Sequence, residues 1–173
     1  MPHAEPVTTS VGERLEASRQ ALMDAIAELD EEGFRARPAA GGWTAAGVLA
    51  HLLDDEPKLL AYARSALEAD DTEVEATSDE DREQQAKDAA QSAAGGPVPQ
   101  ILHGLLGARR DTLRQLEALS AEQLARPVRH AAYGGTSVGR LFQHIAEHED
   151  EHADQIRTIR AQTGRNRRGT SAL

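Results

Sequence analysis

Four stretches of this chain repeat apolar residues at the spacing of an α-helix, and no stretch of useful length alternates them as a strand would. The first covers about residues 9–29, with Val11, Leu15, Leu22, Ile26 and Leu29 on one face. Gly33 and Pro38 close it, and Gly41-Gly42 form a flexible approach to the second. The second covers about residues 45–69, with Thr44 as its N-cap and Pro57 placed to kink or split it. Gly95-Gly96-Pro97 introduce the third, about residues 99–119. The fourth starts at about Ser137, capped by Thr136 or Ser137, and is expected to end before Gly164. Aromatic residues make up only 3% of the chain, so its core must come from Leu, Ala, Val and Ile, a palette that suits helices. The fold class expected is all-α, a four-helix bundle.

The link between the second and third helices is long. Residues 70–81 are acidic with no apolar face and read as a solvated loop, while residues 82–93 have the composition of a short exposed helix. Such a link can cross the length of a bundle, so the third helix need not run antiparallel to the second. Residues 128–133 read as at most an extended loop.

Several function classes are disfavoured. A length of 173 residues favours one domain with an adequate core. There is no 18-residue apolar run for a membrane span and no basic N-terminus with an apolar segment for a secretory signal. No cysteine is present, which removes disulfides, thiolate ligands and a cysteine nucleophile. A cytoplasmic location is the default. A net charge of −10 argues against nucleic acid as the main partner. The one basic exception follows Asp154, where Arg157, Arg160, Arg165, Arg167 and Arg168 occur with no further acid. The first two suit a helix C-terminus, and the others read as a disordered tail.

The chemistry lies in the histidines. His148 and His152 stand four apart, about 6 Å from each other on one helix face. On the stripe defined by Val138, Leu141, Ile145, Ile156 and Ile159, His152 falls within roughly 15° of the centre and His148 within roughly 55°. His144 lies roughly 90° away, which leaves it beside the site or on the surface. On the second helix His51 sits with Val48, Leu52, Leu59 and Tyr62, also on the inward side, and Asp55 follows one turn later. A third imidazole from a facing helix can complete a metal site with open positions. A carboxylate on an apolar face needs a partner, so Asp55 is a ligand, an acceptor for an imidazole N–H or a member of an ion pair. The competing reading is that these histidines are satisfied core residues. His3, His103 and His130 carry only the ordinary reading of a terminus, a helix surface and a loop. Trp43 reads as an anchor at the bundle end, or else as a wall of a substrate mouth, and Tyr133 as a packing residue that could line an entrance.

His148-Glu-Asp-Glu-His152 also matches H-E-x-x-H, in which a metalloprotease uses the glutamate as general base. The match is weak, because no His, Asp or Glu follows Asp154 to serve as a downstream ligand.

Gly41-Gly-Trp-Thr-Ala-Ala-Gly-Val-Leu-Ala-His-Leu52 resembles the opening of the second helix in the DinB/YfiT-like family, W-T/S-x-x-x-V-L-x-H-L. The segment from Gly135 to Arg157 resembles that family's last helix, with its H-x-x-x-H-x-x-Q-I core, and Arg109 to Leu124 is similar to its third helix and following loop. The resemblance covers roughly residues 9–162 and leaves 1–8 and 163–173 as flexible termini. It implies an up-down-down-up bundle with a long crossover between helices two and three, often a homodimer. It implies a divalent metal ion (nickel, zinc or iron) held by His51, His148 and His152. Some relatives are transferases or isomerases that use a low-molecular-weight thiol. Two functions from different classes follow: a metal-dependent thiol S-transferase or small-molecule hydrolase, in which Asp55, Glu149 or His144 orients a ligand or moves a proton, and a non-catalytic metal- or ligand-binding stress-response bundle.

Overall fold

The structure is a computed structural model that describes residues 7–39, 41–69, 73–74, 80–81, 84–85, 88, 96–130 and 134–170. The described residues include the helices α1 (Val7–Ile26), α2 (Glu31–Arg35), α3 (Ala45–Glu68), α4 (Val98–Glu117), α5 (Ala121–Ala125) and α6 (Val138–Thr170). The long ones, α1, α3, α4 and α6, form a four-helix bundle, as the apolar spacing predicts. Three short strands accompany them: β1 (Glu73–Val74), β2 (Pro127–His130) and β3 (Gly134–Ser137).

The local signals act where their chemistry places them. Thr44 Oγ1 accepts a hydrogen bond from the Gly47 amide at 3.0 Å and starts α3. Replacing Thr44 with alanine orphans that amide and should cost about 1 kcal/mol, read as a lower midpoint in urea denaturation. An unchanged midpoint would mean that packing alone holds the start of this helix. Ser137 rather than Thr136 caps α6, its Oγ accepting from the Arg140 amide at 3.3 Å. Gly41 and Gly42 adopt φ of 80° and 104°, which lets the chain turn sharply into Trp43 and α3. Gly104 serves a different end, since a β-carbon there would lie 2.9 Å from Leu53 Cδ1, and its absence lets α4 approach α3 closely.

Some expectations fail for identifiable reasons. Of the kink or split that Pro57 invites, the split does not occur, and α3 continues through it with core packing on both sides. α6 continues past Gly164 to Thr170 rather than ending before that glycine. A helical glycine costs only about 1 kcal/mol, and with no proline after it nothing forces a stop. Residues 127–130 and 134–137 are paired antiparallel strands rather than a loop, with Val128 opposite Thr136. Glu73 and Val74 leave the expected acidic loop to pair in parallel with Arg129 and His130. Such pairing depends on a partner more than fifty residues away, which no local pattern announces. Most of the helix expected over residues 82–93 lies outside the described residues, although Gln84, Gln85 and Asp88 are helical. Among the described residues no helix is long and apolar enough to cross a membrane.

The core has two apolar halves. One gathers Leu22, Ile26, Leu49, Leu52, Leu105 and Ile156, and the other Leu15, Leu60, Leu116, Leu141, Phe142 and Ile145. Along α1 and α6 the chain runs from the second half to the first, and along α3 and α4 it runs the opposite way. Between the halves lies a polar layer of Ser18 and Arg19 from α1, Glu56 from α3, Arg109 and Thr112 from α4 and Glu149 from α6, each less than 7% exposed. Charges so far from water must be paired, and they are. Arg19 donates to Glu149 at 2.6 Å and to Glu56 at 2.9 Å, and Arg109 donates to each of the same two carboxylates at 2.8 Å. Arg19 also donates to the Leu105 carbonyl and Arg109 to the Leu15 carbonyl. Among the described residues no buried side-chain nitrogen or oxygen lacks a partner.

Candidate metal centre

α3 and α6 lie side by side, and that contact brings His51 to His148 and His152. His51 stands two turns into α3, and the other two stand in the middle of α6, one turn apart. His148 Nε2 lies 3.4 Å from His51 Nε2 and 3.1 Å from His152 Nε2. Nitrogens bound at about 2.05 Å around a tetrahedral ion stand about 3.3 Å apart. The donors are of the right element for a divalent ion, two of their separations match that spacing, and one donor atom from each of the three rings lies within 4.8 Å of the others.

The tautomers fit as well. Gln155 Oε1 is 2.7 Å from His152 Nδ1, so the ring donates its Nδ1 hydrogen outward and turns the Nε2 lone pair to the cluster. Burial makes both His51 and His152 harder to protonate than a free histidine, which keeps them neutral and able to bind metal.

Asp55 completes the polar side of the cluster. Its Oδ2 lies 3.3 Å from His51 Nε2 and 3.9 Å from His148 Nε2, so it points at the converging nitrogens rather than at a distant N–H. Trp43 closes another side, its ring 5.3 Å from that of His51, edge-on, and 6.3 Å from that of His152. The indole is thus more than an anchor at the bundle end, since it walls the cluster. His144 stacks on His148 with ring centres 6.1 Å apart and planes 25° from parallel, beside the trio and outside it. Tyr133 lies outside the described residues.

Glu149 has a different place from the one its motif suggests. It is 1% exposed and held by Arg19, Arg109 and Ser18 in the polar layer. Its carboxylate faces the bundle interior about 100° around the helix from His148. It cannot act as the base of an H-E-x-x-H protease, nor orient a ligand by direct contact. Gln155 and the polar layer are what the sequence reading missed. The signal for the layer was present: Arg19 lies between Leu15 and Leu22, Arg109 between Leu105 and Leu116, and Glu149 between Ile145 and Ile156, all on apolar stripes.

The comparisons agree with this architecture. YfiT from Bacillus subtilis, described as a probable metal-dependent hydrolase with an unusual four-helix bundle topology, superposes with a TM-score of 0.72 at 18% identity, covering 91% of this chain and 87% of that one. TT2238, described as a four-helix bundle protein, gives a TM-score of 0.62 at 20% identity over 87% of this chain and 98% of that one. At these identities the likeness concerns the fold. No curated protein matches the sequence. The DinB superfamily pattern matches residues 14–156, a span that takes in all three clustered histidines, and the chain belongs to that superfamily.

Proposed function

We propose that this protein is a metal-dependent hydrolase of small molecules, with His51, His148 and His152 as the ligands of a nickel, zinc or iron ion. The observation that carries this reading is the convergence of three imidazoles, with His148 Nε2 at 3.4 and 3.1 Å from the other two Nε2 atoms, and a carboxylate beside them. YfiT, described as a probable metal-dependent hydrolase, shares the fold and supports the reading by analogy. A divalent ion held there by three neutral imidazoles would keep its full charge and so could lower the pKa of a water or thiol and polarise a substrate oxygen.

The protein's own groups supply the rest. Asp55 is the base, placed to take a proton from the attacking water at Oδ2. Gln155 fixes the ring of His152, and Trp43 excludes water from one side and offers substrate an apolar wall. A low-molecular-weight thiol in the place of water would make the same site an S-transferase, so the substrate screen should pair thiols with electrophiles as well as testing esters and amides.

Asp55→Asn separates the base from the ligands. The variant should hold about one ion per chain but lose about a hundredfold or more in kcat, the range for removing a general base. Full turnover in this variant would remove Asp55 from the mechanism, and loss of the ion would make it a ligand instead.

A further inference from the structure

Glu149 follows His148 on α6, and Glu56 follows Asp55 on α3. Consecutive residues of a helix diverge by about 100°. Each of the two helices therefore turns one side chain to the histidine cluster and the next into the polar layer. These are the two helices whose separation decides whether His51 meets His148. In the layer they present like charges to each other, Glu56 from α3 and Glu149 from α6. Both carboxylates are spanned by the same two guanidiniums. Arg19 reaches Glu149 through Nε at 2.6 Å and Glu56 through Nη2 at 2.9 Å. Arg109 reaches Glu56 through Nε at 2.8 Å and Glu149 through Nη2 at 2.8 Å. Each acid also accepts one hydroxyl at 2.7 Å, Glu149 from Ser18 and Glu56 from Thr112. The arginines come from α1 and α4, which contribute no histidine to the cluster.

From this arrangement we infer that Arg19, Glu56, Arg109 and Glu149 form a clamp that sets the distance between α3 and α6 and so positions the three histidines for the ion. The inference rests on the reading of the histidine cluster as a metal site. A guanidinium is planar with its donors in a fixed fork, so each arginine is a rigid spacer between the two carboxylates. With either charge of a pair removed, the spacer holds one helix only. Metal sites tolerate errors of about 0.2 Å in ligand distance, so a small relaxation of α3 against α6 is enough to weaken binding. The four residues act through the helices and touch neither the ion nor the substrate.

The test is zinc affinity of the full chain, measured by competition with a chelator well below the melting temperature. It is paired with the visible spectrum of the cobalt(II)-loaded protein, which reports coordination geometry. Glu149→Gln keeps the shape of the side chain and removes its charge; it should weaken zinc about tenfold or more and alter the cobalt spectrum. Thr112→Val removes one hydroxyl–carboxylate hydrogen bond to Glu56 without removing a charge and should weaken zinc about threefold, which keeps the test open if the first variant does not fold. Leu124→Ala, in the half of the core away from His51, lowers stability without touching the clamp and should leave affinity and spectrum unchanged. Wild-type affinity in both clamp variants overturns the clamp and leaves the metal site standing. Equal weakening in Leu124→Ala also overturns it, because general loosening would then be the cause. Wild-type protein that binds no zinc, nickel or iron overturns the metal reading itself, and the clamp with it.

Discussion

Protein carrying His148→Ala should come through purification without its metal, where the parent chain holds about one ion. His148 is the hub of the cluster, since its Nε2 is within 3.4 Å of both other Nε2 atoms and within 3.9 Å of Asp55. Without it, His51 and His152 are left as two imidazoles on different helices. Loss of an outer partner of a ligand weakens a site about 10–100-fold, and loss of a ligand should exceed that. Elemental analysis of protein prepared without chelator or histidine tag measures this directly. A second readout comes from linkage: metal at a hundred times its Kd should stabilise the parent by about 2.7 kcal/mol and the variant by nothing. Stoichiometric metal in the variant would sink the assignment of ligands. His144→Ala, beside the trio, should retain the ion.

The other large effect is on stability. Glu149→Ala leaves two buried guanidiniums to share one carboxylate and strands the Ser18 hydroxyl. Breaking a buried ion pair by removing one partner costs about 3–5 kcal/mol. Against a total of about 5–15 kcal/mol, that brings the fold close to its limit. For a chain of this length it corresponds to a melting temperature lower by about 10 °C. Glu147, two residues earlier on α6, is the internal control. Its ion pair with Arg140 is as short, at 2.7 Å, but both side chains are at least 41% exposed. Glu147→Ala should cost less than about 1 kcal/mol. Equal melting temperatures for the two variants would show that the polar layer contributes nothing that a surface pair does not.

Much of this was legible in the residues, and the limits follow from physical causes. The long helices announce themselves because burying one face imposes a period that residues such as Val11, Leu15, Leu22 and Ile26 repeat. His148 and His152 could be paired because both sit on such a face; His51 stood out on the inward side of its own helix, and the family resemblance joined it to them, since one helix does not tell which neighbour it will meet. Short α2 and α5 have too few turns to show a period, and their capping residues Asp30 and Ser120 are the only local trace of them. The polar layer stayed hidden for another reason. A charge is ordinarily placed outside a bundle, so Arg19 or Glu149 taken alone reads as a surface residue. Only cations and anions at the same level of several stripes, taken together, mark a buried layer.

The pairing of α1 with α6 has a consequence for how the protein is made. Arg14 reaches Asp150 across 136 positions of the chain, and the first helix lies chiefly against the last. On the ribosome α1 emerges before α6, so its chief packing partner is missing until α6 has been synthesised. The same delay applies to cofactor acquisition: His51 is displayed nearly a hundred residues before His148, so the nascent chain has no assembled site with which to capture an ion. On the proposed reading of the histidines, an ion can be captured only once α6 has emerged and docked.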